Sequence, residues 1–461
     1  MAFLQQLYKR TPVFFQNVMV SAYGYGWRKK RFGGNFKEEL KAYKERESFT
    51  TPQWDEYQTH ELRKTLLHAF ETVPFYKEKY TRAGITAEQL KNIQLSDIAK
   101  LPYLEKDEVR KYGDTILLSS QKQKGEFHAS SGSTGTPSRI YYSPSMHQQW
   151  SAGFEARIRH WAGVDRYTPR GMIGGRRVLP DSVAKGPYYR YNLAEKQVYF
   201  SAYHISAHTA PEYVKAIRRH KLEYMTGYAM SNYFLAHFIE EAGISTPQLK
   251  AVITSSEKLT DEMRATFKNV YGCKTYDSWS GVEACGLISE CEMGSLHMSP
   301  DMALLEVLDE QGNPVGPGGT GELVCTGFLN YDQPLIRYRI GDRITLSEQD
   351  CSCGRKMTVV KEIAGRIEDI VIGRDGRKMV RFHGIFINIP SIAQGQIIQE
   401  STEHIVIRVV ITKQLSAAER ALIIQRMTSQ LGDIRVDIEE VSEIPLTANG
   451  KFKAVISKLK Q

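Results

Sequence analysis

The chain has 461 residues, of which 41% are hydrophobic and 25% charged, and its 61 basic and 52 acidic residues give a formal net charge of +9. These values predict a globular protein of roughly two to four domains and exclude a disordered or collagen-like chain. Residues 1–50 hold ten basic and four acidic residues, so the remainder is nearly neutral and gives no support to a nucleic-acid partner.

The cysteines indicate the compartment. Six cysteines are too few for a disulfide scaffold, and no stretch resembles a secretory signal, so the sequence predicts a protein of the reducing cytoplasm. The apolar run at residues 11–27 is too short and too polar to span a membrane. All six cysteines fall between Cys273 and Cys353.

The hydrophobic patterns predict mixed α/β structure. Residues 251–254 read as a buried strand between two helices at 231–243 and 260–272. From residue 302 the pattern changes to hairpins, with strands at 303–308 and 321–326. The glycines at 316–321 match G-x-G-x-x-G, but they lead into a strand and not into a helix, so we interpret them as a turn.

The last ninety-odd residues predict a separate small domain. Strands at 404–412 and 435–441 flank a helix that opens with the capping box Ser416/Glu419 and ends at Gly432. Its inward side chains are expected to be Ile423, Ile424, Met427 and Leu431. With a boundary near Gly365, the chain divides into a basic aromatic segment 1–50, a large domain 51–365 and a cap domain 366–461.

A Ser/Gly-rich loop at residues 130–137 is the sharpest local motif. Glycines alternate with hydroxyl residues, which suits a tight turn that presents N–H and O–H donors to a phosphate. It lacks the Gly-Lys-Ser/Thr of a Walker loop and the G-x-S-x-G of a nucleophile elbow. By itself it could equally be a flexible surface loop.

Five motifs follow this loop in order: Ser255-Ser-Glu257, Trp279-Ser-Gly-Val-Glu283, Tyr338-Arg-Ile-Gly-Asp342, Gly365-Arg-Ile-Glu-Asp369 and Asn449-Gly-Lys451. The series resembles the adenylate-forming superfamily in its phenylacetate-CoA ligase-like branch. The Cys291/His297 element, the Cys351-Ser-Cys-Gly-Arg355 knuckle and the ending at 446–453 resemble CapK-type proteins encoded in capsule-biosynthesis clusters. The resemblance runs from about Phe70 to the C-terminus. It implies a large multi-subdomain α/β domain followed by a small, mobile α+β domain.

The resemblance also assigns roles to residues. A loop would hold the β- and γ-phosphates of ATP, namely Ser130, Ser131, Gly132, Ser133, Thr134, Gly135 and Thr136. Glu283 would reach Mg²⁺, Trp279 would stack on adenine, and Ser255, Glu257 and Val282 would lie beside the nucleotide. Asp342 would accept the ribose hydroxyls, with Arg366 as a nearby donor, although Gly-Asp at a strand end is commonly just a turn. Lys451 would neutralise the reacting carboxylate and α-phosphate, and Glu368 would be the pivot of the cap domain.

Two further sites are predicted less directly. Cys291, His297, Cys351 and Cys353 form a Cys3His set that suits a structural Zn²⁺, or they are four unrelated reduced side chains. The remaining Cys273, Cys285 and Cys325 are expected in the core. By position, the acyl pocket would include Tyr203, His204, Gly227, Tyr228 and Ala229, with an aryl or apolar acid as substrate and His204 as a candidate base.

The activity implied is ATP- and Mg²⁺-dependent activation of a small carboxylate as an acyl-adenylate, with transfer to CoA or another thiol. Residues 373–380 depart from the Gly-rich segment of related ligases, which leaves open a carrier-protein thiol, an amine or a carbohydrate hydroxyl as acceptor. A non-catalytic scaffold is a further alternative. In residues 1–36 basic and aromatic side chains alternate, which is typical of peripheral membrane docking or of a packed N-terminal arm.

Overall fold

The computed structural model describes residues 8, 11–129, 138–176, 179, 186–364, 371–374, 376, 378, 379, 382, 385, 386, 389, 391–445 and 454–459. Helices fill the first part of the chain and are α1 (Val13–Phe32), α2 (Phe36–Glu45), α3 (Thr51–Thr72), α4 (Pro74–Arg82), α5 (Ala87–Asn92) and α6 (Lys106–Tyr112). Later helices are α7 (Pro144–Phe154), which continues as a π-turn over Glu155–Arg159, α8 (Ala210–Arg219), α9 (Ala229–Glu241), α10 (Asp261–Tyr271) and α11 (Ala417–Leu431).

The strands complete the element order. They are β1 (Glu126–Ala129), β2 (Arg139–Tyr142), β3 (Arg170–Gly174), β4 (Tyr189–Asn192), β5 (Gln197–Ser201), β6 (Tyr224–Tyr228), β7 (Ala251–Ser255), β8 (Lys274–Trp279), β9 (Ile288–Glu290), β10 (Leu296–Met298), β11 (Ala303–Leu308), β12 (Thr320–Gly327), β13 (Tyr338–Leu346), β14 (Val359–Ala364), β15 (Val371–Ile372), β16 (Lys378–Met379), β17 (Ile392–Ser401), β18 (His404–Ile411), β19 (Arg435–Glu440) and β20 (Val455–Ser457).

A twelve-stranded mixed sheet organises the large domain, in the order β11-β12-β13-β14-β10-β9-β8-β7-β6-β3-β5-β4. Its centre is parallel from β5 through β3, β6 and β7 to β8, and the remaining pairs are antiparallel. The parallel strands alternate with helices, as the sequence predicts for residues 231–272. Thr260 caps α10 by accepting from Met263 N, and Gly272 ends the helix with φ +64°.

The antiparallel part confirms the predicted hairpin of β11 and β12, which pair from Ala303 with Gly327 to Leu308 with Glu322. The glycines at 316–321 form a turn that enters β12, where Gly318 has φ +78°. Cys273, Cys285 and Cys325 are buried, as expected of core thiols.

A second, four-stranded sheet of order β19-β18-β17-β20 carries α11 and forms the small C-terminal unit. The capping box of Ser416 and Glu419 is present, and Ile423, Met427 and Leu431 are buried. Ile424 is 38% exposed, so the sequence-based expectation that it faces inward is wrong. Ile424 directly follows the buried Ile423, and the 100° turn per residue of a helix carries it off the narrow packed stripe.

The N-terminal segment is packed and helical. Helix α1 lies against β4 and the turn after it, where Asn17 Oδ1 accepts from Tyr191 N at 2.9 Å and Arg28 donates to Ala194 O at 2.9 Å. Phe14, Phe15 and Tyr25 remain exposed on the outer face of α1. Among the described residues, no helix combines the length and the apolar character needed to cross a membrane.

Candidate active site

The carboxyl ends of the central parallel strands form one edge, and several of the predicted site residues lie along it. Gly174 pairs with Ser201, Tyr228 with Ser255, and Ser255 with Ser278, so β3, β5, β6, β7 and β8 end at one level. Ligands of open α/β sheets bind outside the carboxyl ends of parallel strands. The fold therefore brings Tyr228, Ser255 and Trp279 together from separate parts of the chain.

Trp279 and Asp342 are joined by a hydrogen bond, in which the indole Nε1–H donates to Asp342 Oδ2 at 3.0 Å. Asp342 lies inside β13, at a register shift where β12 residues Glu322 and Val324 face Arg343 and Arg339. Gly341, with φ +86°, makes this bulge possible. The Gly-Asp pair is thus a bulge that re-aims a carboxylate within a strand, and not a turn at a strand end.

Glu283 sits on the turn between β8 and β9, and its side chain is buried. Among the described residues, no donor pairs with its carboxylate, although Tyr142 anchors the same turn by donating to Val282 O at 2.6 Å. A largely buried carboxylate that has no partner in the described part of the chain fits a hard cation such as Mg²⁺.

Two of the five described non-glycine residues with positive φ lie beside these residues. Ser256 has φ +73° and Ala284 has φ +45°, so both are non-glycine residues in the left-handed region. Such conformations cost about 1–3 kcal/mol each and cluster at functional sites. Ser256 and Ala284 directly follow Ser255 and Glu283, two residues of the motifs that predict the nucleotide site.

Glu257 has a structural contact of its own. Its Oε2 accepts from Met230 N at 2.8 Å, at the first turn of α9. A carboxylate at a helix N-terminus satisfies a free N–H and complements the helix dipole. Glu257 thereby ties the loop after β7 to the neighbouring helix.

The five residues predicted for the acyl pocket lie around the ends of β5 and β6. Tyr203 is buried, donates to Gly175 O at 3.2 Å and packs with the apolar core of the C-terminal unit. His204 Nδ1 is 2.7 Å from Ser201 Oγ, and its ring stacks on Tyr188. Gly227 and Tyr228 end β6, and the buried Ala229 begins α9.

A cavity of about 340 Å³ lies beside the Glu283 turn, with Val282 in its wall. Its floor is one face of the sheet, built from alternate residues of four strands in register: Arg170 and Met172 of β3, Gln197 and Tyr199 of β5, Tyr224 and Thr226 of β6, and Ile253 of β7. Helices α1 and α7 form its roof through Trp27, Arg31 and His147, among others.

Sequence reasoning missed this cavity. None of the five residues predicted for the acyl pocket is among the described residues that line it. His128 and His147 flank the Ser/Gly-rich loop in the chain, which could have drawn attention to them. Arg31 and Trp27 belong to a helix that was interpreted as a docking segment or an arm, and no local pattern connects that helix to strands about 170 residues later.

The Cys3His set converges in space. One ligand atom from each of Cys291, His297, Cys351 and Cys353 lies within 4.8 Å of the others. The Sγ atoms of Cys291 and Cys351 are 3.7 Å apart, and Cys353 Sγ is 3.5 Å from His297 Nε2. Tetrahedral zinc requires about 3.8 Å between two sulfurs and about 3.6 Å between sulfur and nitrogen. The four residues therefore fit a structural zinc ion in both donor chemistry and spacing.

A partly buried acid, Asp277, lies on β8 two residues before Trp279. Burial and the neighbouring Glu290 raise the pKa of Asp277 to about 7. Its Oδ1 accepts from Ser278 N at 2.9 Å and from Thr254 Oγ1 at 3.2 Å. These bonds remain available to a protonated carboxyl, which burial and the nearby Glu290 favour.

Asp277→Asn is expected to flatten the pH dependence of stability. In the unfolded chain the carboxyl loses its proton near pH 4, whereas the folded state keeps it up to about pH 7. Between these values the folded state binds more protons, so the free energy of unfolding of the natural protein falls as pH rises. The Tm of Asp277→Asn minus the Tm of the natural protein should therefore be larger at pH 8 than at pH 5. An equal Tm difference at both pH values would contradict this, and Asp350→Asn, at a side chain 94% exposed, is the control.

Several predicted residues fall outside the described part of the chain. They are the phosphate loop at 130–136, Arg366, Glu368 and Lys451. Their roles stay predictions from the resemblance.

Comparisons with known proteins bear on the whole chain. The profile for the CapK C-terminal domain matches residues 371–458. Protein CapK of Staphylococcus aureus is 26% identical over 476 aligned positions, covering 99% of this chain and 100% of CapK. Phenylacetate-coenzyme A ligase of Thermus thermophilus is 25% identical over 337 positions, covering 69% of this chain and 71% of that protein.

A solved structure shares the fold. The structure of 2-hydroxyisobutyryl-CoA ligase in the postadenylation state, in complex with R3-HIB-AMP, matches with a TM-score of 0.56 and 20% identity over 90% of this chain and 91% of that one. The match confirms the predicted fold, a large mixed α/β domain followed by a small C-terminal domain. The chain is thus a homologue of CapK over 99% of its residues and of the phenylacetate-CoA ligases over 69% of them, which confirms the resemblance to adenylate-forming proteins.

Proposed function

We propose that this protein activates a small carboxylic acid with ATP, releases pyrophosphate and passes the acyl group of the resulting acyl-adenylate to CoA or another thiol. The observation that carries the proposal is the meeting of Trp279, Asp342 and the Glu283 turn at one edge of the parallel sheet. Phenylacetate-CoA ligases among the relatives support the same chemistry, because their names specify acid activation and CoA as acceptor.

In this proposal each residue has a physical task. Asp342 accepts the ribose hydroxyls, and the indole N–H of Trp279 holds one of its carboxylate oxygens in place while the indole face stacks on adenine. Glu283 would hold Mg²⁺ through its carboxylate, and the ion would supply positive charge to the phosphates. Lys451 supplies the cation that offsets charge developing on the carboxylate and α-phosphate.

Isotope exchange between ATP and pyrophosphate, measured across a panel of carboxylic acids, tests the adenylation step. Exchange with at least one acid is expected, and Asp342→Asn should reduce it because the amide has one accepting oxygen and no charge, whereas the carboxylate offers two charged oxygens to the two hydroxyls. A protein that folds and exchanges with no acid in the panel would instead be a non-catalytic relative.

The acceptor is a second question, and one observation favours an alternative to CoA. The profile that matches the small domain is that of CapK, whereas the phenylacetate-CoA ligase matches cover 69% of the chain. Transfer to a carbohydrate or amine in polysaccharide biosynthesis therefore stands as the second candidate. Single-turnover consumption of the acyl-adenylate with and without CoA separates the two, since a CoA ligase stalls when CoA is omitted.

We further propose that Cys291, His297, Cys351 and Cys353 bind a structural zinc ion, because all four coordination positions would be filled by protein. Freshly purified protein should contain about one equivalent of zinc. Cys291→Ser should lose it and lower Tm by at least about 5 °C, because metal binding is part of the folding free energy. Cys273→Ser, at a buried thiol outside the set, should keep its zinc. Less than half an equivalent in the natural protein would contradict the site.

A further inference from the structure

The cavity beside the Glu283 turn is strongly basic for an enclosed space. Four arginines line it, namely Arg31, Arg159, Arg170 and Arg176, and no Asp or Glu is among its described lining residues. A phenylacetate-like ring would need only apolar walls. The polar half of this cavity therefore calls for a different ligand group.

Two buried glutamates behind the walls balance only part of this charge. Glu195 pairs with Arg31 and lies 3.6 Å from Arg170. Glu155 lies 2.6 Å from Arg159 and 3.4 Å from Arg166. Each glutamate thus faces two guanidinium groups, so the buried arginines exceed their acidic partners, whereas Arg176 is exposed and stacks on Tyr199. Excess buried positive charge is costly unless an anion offsets it.

Unpartnered donors point to the same kind of ligand. His147 is 5% exposed and lines the cavity, yet within the described part of the chain its Nε2 has no hydrogen-bond partner. Arg31 Nε, in the roof, is likewise buried and has no partner among the residues that the structure describes. Burial and the neighbouring His128 lower the pKa of His147 to about 4, so the ring is neutral at pH 7 and can donate one N–H. Buried polar atoms in proteins are normally satisfied, so these two indicate a polar occupant.

A metal ion is a poorer occupant of this cavity. Glu126, His128 and His147 offer ligand atoms within 4.8 Å of one another, which resembles a metal-binding set. However, Lys30 already pairs with Glu126 at 2.9 Å, and the arginines repel a cation. The surroundings favour an anion over a divalent cation.

The cavity also has a direction. Val282 marks the end beside the reacting groups, while Arg170, Gln197 and Tyr224 begin their strands at the other end. Two to four residues of strand separate the two ends, or roughly 7–13 Å. A ring or short chain spans this length.

We propose, on the basis of the function above, that this cavity holds the acyl portion of the substrate and that the substrate is an acid with a second anionic group at its far end. The carboxylate beside Glu283 is adenylated, and the distal anion binds among Arg31, Arg159 and Arg170 with a hydrogen bond from His147. The N-terminal helix α1 is then part of the substrate site, since it contributes Arg31.

Matched substrates test the charge requirement. ATP–pyrophosphate exchange is measured with 4-carboxyphenylacetate, 4-phosphonophenylacetate and 4-carbamoylphenylacetate. The last compound keeps the reacting carboxylate but has an uncharged amide at the distal position. The kcat/KM of at least one dianion is expected to exceed that of the amide by about tenfold or more. The two dianions distinguish a distal carboxylate from a distal phosphate-like group. A preference for the amide, or no preference, overturns the inference.

Matched variants locate the anion. Arg31→Gln leaves Glu195 paired with Arg170 and removes one cation from the cavity. It should reduce the preference for the dianion over the amide by about tenfold. Arg28→Gln, one turn earlier on α1, removes a cation that contacts Ala194 O outside the cavity and should leave that ratio unchanged. Equal effects of the two substitutions contradict the proposed position.

Calorimetric titration with 4-carboxyphenylacetate separates this inference from the proposed function, because binding needs no catalysis. If 4-carboxyphenylacetate binds, Arg31→Gln weakens that binding, and no acid supports exchange, the anion site would be supported and adenylation would be contradicted. Exchange with phenylacetate and no binding of 4-carboxyphenylacetate would support adenylation and contradict the anion site.

Discussion

Lys451→Ala is expected to slow acyl-adenylate formation by at least about 100-fold, corresponding to ~3 kcal/mol of lost transition-state stabilisation. Lys451 lies outside the described residues, and its role follows from the resemblance of residues 446–453. A cation beside the reacting carboxylate and the α-phosphate offsets charge that develops as the two join. The measurement is ATP–pyrophosphate exchange with the best acid of the panel, with Tm as a check on folding.

The matched control for this prediction is Lys458→Ala. Lys458 is 54% exposed and pairs with Glu400 at 2.7 Å, so its loss should change exchange by less than about twofold. Lys451→Ala at the wild-type exchange rate would show that Lys451 is an ordinary solvated lysine.

Gly227→Ala is expected to destabilise the protein by more than about 3 kcal/mol, or to prevent folding. Gly227 has φ +126°, which side chains rarely permit, and an added Cβ would lie 1.9 Å from the carbonyl oxygen of Ile173 in the neighbouring strand. Because β3 and β6 are central, the clash cannot be relieved without separating the sheet. Urea denaturation gives the free energy of unfolding of the two proteins.

Gly316→Ala provides the comparison for Gly227→Ala. An added Cβ at Gly316 meets no atom within 4 Å, and the residue lies in a turn before β12. The free energy of unfolding of Gly316→Ala should differ from that of the natural protein by less than about 1 kcal/mol. Similar losses at both positions would contradict the steric argument.

The sequence predicts elements whose signals are local. Residues 260–272 carry a cap, an apolar period and a terminal glycine, and α10 follows them closely. The same is true of the capping box of α11 and of the hairpin of β11 and β12. Ile424 is the exception, since the width of a buried stripe depends on what packs against the helix.

The candidate site likewise has a part that sequence motifs predict and a part that they do not. Trp279, Glu283 and Asp342 belong to motifs that can be read in order along the chain, and the structure brings Trp279 and Asp342 into contact across 63 residues. The basic cavity could not be predicted, because its walls come from separate parts of the chain. Alternate residues of β3, β5 and β6 and one residue of β7 lie in its floor, and residues of α1 and α7 form its roof. No short window of sequence contains that combination.

The packing of α1 has a consequence for synthesis. Its partner strand is made late, since Asn17 and Tyr191 are 174 residues apart. At about 5–20 residues per second, the ribosome needs roughly 10–35 s to supply that strand. During this interval Trp27 and Phe32 have no sheet to cover. The first long helix to emerge therefore waits for its partner strand, and the cavity floor is completed later still, because β5, β6 and β7 follow β4 in the chain.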